Sequence, residues 1–185
     1  VSDSSSTPAA PSPDAIGQPG ALGMLAFAWG LAGFVALLLF ALWRLVPLAF
    51  EAFQYPWGWA ETGVFVANLA AMAWYEGYKG FQNAYSPRFA ARCHHLLHHA
   101  GWRRTLLAPL VAMGFLAAPR RRVIAAWALT VGIVAVVLLY RLLPQPWRGI
   151  LDAGVVVGLA WGLVATVLQT WRTLRDGPAV NPEIH

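Results

Sequence analysis

Residues 105–119 read TLLAPLVAMGFLAAP. Whether this stretch crosses a bilayer decides how the whole chain is threaded. Its fifteen residues would make about 22 Å of α-helix at about 1.5 Å per residue, short of a hydrocarbon core of about 30 Å. Pro109 interrupts it, Arg103 and Arg104 precede it, and Arg120, Arg121 and Arg122 follow.

On either side the chain is more apolar. Residues 21–43, ALGMLAFAWGLAGFVALLLFALW, hold no charge and are long enough to span. Residues 57–75 carry Glu61 and Asn68 in an otherwise apolar run, 123–140 carry no charge, and 149–171 carry only Asp152. The two prolines of RLLPQPWR join the last two runs as antiparallel neighbours.

The basic residues choose the threading. If 105–119 stays on one side, Lys79, Arg88, Arg92, Arg103, Arg104, Arg120, Arg121, Arg122, Arg172 and Arg175 share that side, and Arg44, Arg141 and Arg148 face the other. A crossing would separate the RRR cluster from the other basic cluster, which the positive-inside rule disfavours. The expectation is an all-α integral membrane protein with four transmembrane helices, both termini cytoplasmic, in a bacterial inner membrane. Residues 105–119 form a short re-entrant or interfacial helix; five spans is the alternative. Tryptophans belt both interfaces: Trp43, Trp57, Trp59 and Trp147 outside, Trp74, Trp102 and Trp171 inside.

Composition agrees. Of the 185 residues 58% are hydrophobic and 11% charged, where a soluble domain carries about 25% charged residues. A nucleic-acid reader would show a soluble basic face on a recognisable fold, and none is evident. Cys93 is the single cysteine, which excludes an internal disulfide and a Cys-rich zinc site. Residues 1–20, rich in Ser, Pro, Ala and Gly, lack the charged start and short apolar core of a signal peptide and read as a disordered tail. One membrane domain over 21–175 and a tail over 176–185 complete the layout, with 86–119 interfacial.

Four features could carry function. Gly154, Gly158, Gly162 and Thr166, and likewise Gly63, Ala67 and Ala71, recur every four residues. Such ladders let helices approach closely in lipid, within one chain or against another protein. Glu61, Arg141 and Asp152 fall near the outer helix ends, where an Arg141–Asp152 or Arg141–Glu61 pair would offset the cost of charge at membrane depth; a proton or ion path through Glu61 is the other reading. The segment 75–88 mixes Tyr, Phe, Gly and Gln in a way that suits the headgroup level, with Glu76 and Lys79 spaced to pair.

The fourth feature is RCHHLLHHAGWRR, residues 92–104, with four of the five histidines. Ser86 as N-cap and Pro87 at the first position predict a helix that stops at Gly101. Phe89, Cys93, Leu96, Leu97 and Ala100 share one face; Arg88, Arg92, His95 and His99 share another. That pattern suits an amphipathic helix on the inner membrane surface. Its arginines, with Arg103, Arg104, Arg120, Arg121 and Arg122, would face anionic lipid. His94/His98 and His95/His99 are i, i+4 pairs, each able to hold two positions of a metal ion. Further ligands could come only from Glu76, Asp176, Glu183 or His185. His95-Leu-Leu-His98-His99 resembles one His box of the membrane-bound di-iron hydroxylases and desaturases. That family uses several such boxes, and this chain has one other histidine, His185, so the activity is not carried over.

No Gly-rich phosphate loop, nucleophile elbow or HExxH motif appears, and no histidine lies inside a span. No cofactor is implied beyond that metal ion. The leading expectation is a non-catalytic accessory or assembly subunit that packs against other membrane proteins, its own copies and anionic lipid. A His-liganded metalloprotein or oxidoreductase and a small ion or proton transporter are the alternatives.

Overall fold

The computed structural model describes residues 20–99, 101–182 and 184; among these there is helix and no strand. Of the tail read over 1–20 only Gly20 is described, and Glu183, His185 and Ala100 lie outside the described residues. Among the described residues three helical stretches are long and apolar enough to cross a membrane: Ala21–Gln54, Arg120–Tyr140 and Trp147–Asp176.

Helix α1, Ala21–Glu51, starts from extended Gly20 and runs past the apolar stretch through Pro47. Its buried residues Gly23, Ala26, Gly30, Phe34 and Leu38 recur at three- and four-residue steps, which is one helical face. A 3₁₀ turn, Ala52–Gln54, leads to α2, Trp59–Met72. Here the Glu61 carboxylate accepts the Gly58 N–H at 2.9 Å and the Thr62 hydroxyl donates to the Gly58 carbonyl at 3.0 Å. An acid three residues into a helix satisfies an orphan donor and complements the helix dipole.

The chain does not stop at Tyr75. It continues without a break through a π-helical segment, Ala73–Tyr85, into α3, Ser86–His99. This differs from the sequence expectation at two points. Ser86 is no N-cap: its backbone is helical, and its buried hydroxyl meets the Thr166 hydroxyl at 2.8 Å. Nor does α3 lie alone on a surface: Phe89, Cys93 and Leu96 are fully buried against α1 and the short helix that follows. Pro87 has no N–H to donate and its ring crowds the carbonyl one turn back, so widened turns before it let the helix pass. A capping rule assumes water at the helix end; Ser86 finds its partner on another helix instead.

Residues 105–119 are broken. Helix α4, Trp102–Leu106, and α5, Ala108–Met113, are one and two turns long, and Gly114 closes α5 in the left-handed conformation at φ 84°. Neither is long enough to cross. Both pack on α1, and Ala108, Val111 and Ala112 enter the core with Phe34, Leu38 and Phe89. Helix α6, Arg120–Tyr140, follows, then α7, Trp147–Asp176.

Helix α7 is the spine of the bundle and packs on α1, α2, the π-helical segment and α3. It faces them with small residues: Gly149, Gly154, Gly158, Gly162, Thr166, Thr170 and Thr173 are buried. Close backbone approach and dispersion, not water expulsion, hold such a contact in lipid. Helix α6 stands apart, with none of its apolar stretch buried.

Candidate functional sites along the bundle

The expected ladder on α7 is met residue by residue. The Asn68 amide lies against Gly154 and donates to the Ile150 carbonyl at 2.8 Å. Glu76 lies against Gly158, where a Cβ would stand 2.7 Å from Oε2. The Phe81 ring covers Gly162, where a Cβ would stand 2.5 Å from ring carbons, and Ser86 meets Thr166. Glycine is required at these positions because polar or aromatic side chains from the long helix occupy the space of a Cβ. Trp161 packs on Gly77 in return and donates to Gln82 Oε1 at 3.0 Å. The second ladder is different. Gly63, Ala67 and Ala71 are exposed, and nothing lies near Gly63.

Residues of 75–88 therefore stand beside the middle of α7, where Glu76, Phe81 and Ser86 meet Gly158, Gly162 and Thr166. Glu76 and Lys79 form no ion pair; Lys79 sits by the rings of Trp74 and Tyr75, at 5.7 and 5.3 Å from their centroids.

A cleft of about 530 Å³ separates α6 from the bundle. Phe34 and Leu37 of α1, Phe81, and Ile133 of α6 supply apolar walls. Arg88 and Arg92 of α3 and Arg122 in the first turn of α6 also line it. Tyr75, Glu76 and Thr130 line it further along. Arg92 is 5% exposed, so it does not lie on an open lipid-facing surface as expected. Its Nε donates to the Pro182 carbonyl at 3.2 Å, and its guanidinium packs on Gly114. An aromatic stack backs the cleft: Phe34 lies 5.4 Å from Tyr85 and 4.7 Å from Phe89, ring centre to ring centre.

The histidines form the two expected pairs at the last turns of α3. His95 and His99 stack at 4.5 Å with rings 14° apart, and His94 and His98 lie at 4.8 Å and 50°. Among the described residues no group of three or more His, Cys, Asp or Glu converges as metal ligands. Glu76 stands turns away beside Gly158, and Asp176 beside Arg175, at 3.9 Å. Burial, then the neighbouring imidazoles His98 and His99, hold His94 below the usual imidazole range. Burial, His99 and the Arg104 guanidinium do the same for His95. Crowding of this kind favours neutral rings.

At the other end of the bundle the three expected charges do not meet. Asp152 is 5% exposed and faces Arg148, one turn earlier on its own helix, at 3.7 Å. Glu61 caps α2, and Arg141 follows α6, exposed. A partner on the same helix needs no second helix to be brought into register, so Arg148 takes the place read for Arg141. Arg103, Arg120 and Arg121 are exposed, with the Arg103 guanidinium over the Trp102 ring at 5.3 Å.

Sequence reasoning missed the cleft. Its signal was present: Glu76, Gly80, Arg88 and Arg92 are spaced by multiples of four, a single stripe once the helix is carried across Ser86-Pro87. No protein-family model, curated protein or solved structure matches the chain.

Proposed function

We propose that the chain is a four-span, non-catalytic accessory subunit of a bacterial inner membrane, which docks its α6 and the open side of α2 against the transmembrane helices of another membrane protein. The observation that carries this reading is α6 itself, a spanning helix of 21 residues whose apolar stretch buries nothing in its own chain. Ala128 and Gly132 leave a small-residue stripe on it, and Gly63, Ala67 and Ala71 leave another on α2. Small residues left exposed among the described residues suit close approach of a foreign helix.

The four spans are α1, the long helix from Trp59 onward, α6 and α7. Helices α4 and α5 stay on the side of the arginines, in keeping with their length. Both termini then lie on the positive, cytoplasmic side.

The test is mild solubilisation followed by native electrophoresis and crosslinking, with Ala67→Leu and Gly132→Leu as probes. The wild type is expected in a complex larger than its own 20.1 kDa, and each leucine to release the free chain. Migration of the wild type as a bare monomer refutes the reading.

A further inference from the structure

We infer that the segment after α7, residues 177–182 with Ile184, is a hinged strap that closes over α3 and the core, and that its hold on Arg92 keeps it closed. It needs no partner protein, so it stands apart from the docking reading above.

The hinge comes first. Helix α7 ends with the Gly177 N–H donating to the Thr173 carbonyl at 3.0 Å. Gly177 then takes φ 86° and ψ 169°, a backbone conformation open in practice to glycine alone. Nothing stands within 4 Å of where its Cβ would lie, so the turn itself, not crowding, calls for glycine. Pro178 cannot continue the helix, and Pro178 and Pro182 each fix their own φ. The strap therefore keeps much of its shape and swings at Gly177. Its middle is open to the surroundings: residues 178–182 form neither helix nor strand, and Pro178, Ala179 and Val180 are exposed.

The far end is seated. Pro182 and Ile184 are half-buried. The Pro182 carbonyl accepts from Arg92 Nε at 3.2 Å, and Ile184 packs on the core that Phe89, Cys93 and Leu96 of α3 share with α1 and α5. Arg92 is buried, and its guanidinium also packs on Gly114 and lines the cleft. A hydrogen bond from a charged group favours the closed strap roughly ten- to a hundredfold. Half-burying an isoleucine adds roughly fivefold. An anchor of that size, on a segment with an exposed middle, lets the strap open locally while the bundle stays folded. Arg92 thereby ties the strap to the cleft. While Pro182 holds its Nε, that donor is turned away from any occupant of the cleft; when the strap swings out, the Nε loses this acceptor.

Thiol labelling of the detergent-purified full chain tests this, in a Cys93→Ser background that leaves one introduced cysteine. Val180→Cys should react with a maleimide as an open thiol does. Ile184→Cys should react at least about tenfold more slowly, at the rate of strap release. Arg92→Gln removes the donor to Pro182, and Gly177→Val denies the hinge its positive φ. Each should speed the reaction of Ile184→Cys at least about tenfold, and Gly177→Val should do so with the helical unfolding midpoint unchanged. Equal rates for Val180→Cys and Ile184→Cys overturn the inference. So does an unaltered Ile184→Cys rate in either release variant. A midpoint that falls in step with the Gly177→Val rate overturns it too, since the bundle rather than the strap would then be opening.

Discussion

Gly162→Ala is the most direct probe of how α7 meets the long helix. The added Cβ would stand 2.5 Å from carbons of the Phe81 ring, about 1 Å inside an ordinary carbon contact. Phe81 cannot swing aside freely, since its ring packs edge-on to Tyr85 at 5.6 Å, and Tyr85 stacks with Phe34 and Phe89. Overpacking a fixed site costs about 1–3 kcal/mol, and this one belongs at the upper end. Replacing glycine in a helix returns up to about 1 kcal/mol, which leaves a net loss of about 2 kcal/mol. Gly158→Ala should cost less, about 1 kcal/mol, because its Cβ meets the end of the flexible Glu76 side chain. Gly63→Ala meets nothing within 4 Å and should be neutral or stabilising by up to about 1 kcal/mol. Equilibrium unfolding in mixed detergent micelles gives all three on one scale. The expected order is Gly63, Gly158, Gly162, with a gap of about 2–3 kcal/mol from first to last. Values for Gly63 and Gly162 within about 0.5 kcal/mol of each other would show that helix propensity, not the Phe81 contact, sets the outcome.

Gly114 and Ala117 should respond in opposite directions. Gly114 has φ 84° and a guanidinium packed on its Cα, so Gly114→Ala should destabilise, while Ala117, at φ 56°, should gain about 1 kcal/mol as glycine; thermal unfolding in detergent reads both. Because His94 and His95 titrate below the usual imidazole range when folded, protons bind the unfolded chain first. Stability should be flat above pH about 6.5 and fall as pH drops below it. His94→Gln with His95→Gln should flatten that slope, as unfolding midpoints between pH 5 and 8 would report. Cys93 is fully buried, so a maleimide should label it only at the rate of opening, and rapid labelling of the native protein would contradict its place in the core.

Much of the architecture was legible because lipid simplifies the problem. The charge-free run at 21–43 and the four-residue spacing of Gly154, Gly158 and Gly162 are local patterns, and each corresponds to an element or a contact. What was not legible depends on partners distant in sequence. Ser86-Pro87 reads as a helix start by every local rule, yet Thr166, eighty residues away, supplies a hydroxyl that keeps Ser86 inside a helix. Asp152 was matched to Arg141, and Arg148, four residues earlier on its own helix, faces it instead. Glu61 was weighed as an intramembrane charge, although Gly58 three residues earlier already identified it as a cap. The cleft could be seen only once Ser86 was placed inside a helix, since its arginine stripe exists only on an unbroken helix.

The π-helical segment Ala73–Tyr85 also sets an angular phase. Each residue of an α-helix advances the chain by about 100°, so the two faces of one long rod are tied together like the ends of a shaft. Widened turns slip that shaft. They allow Asn68 at one end and Ser86 at the other to address the same row of small residues on α7, while Arg88 and Arg92 look toward α6. The segment should therefore tolerate changes of side chain better than changes of length. Removing one residue between 73 and 85 would change the phase of everything beyond it, carrying the histidine pairs and both arginines away from their present neighbours together.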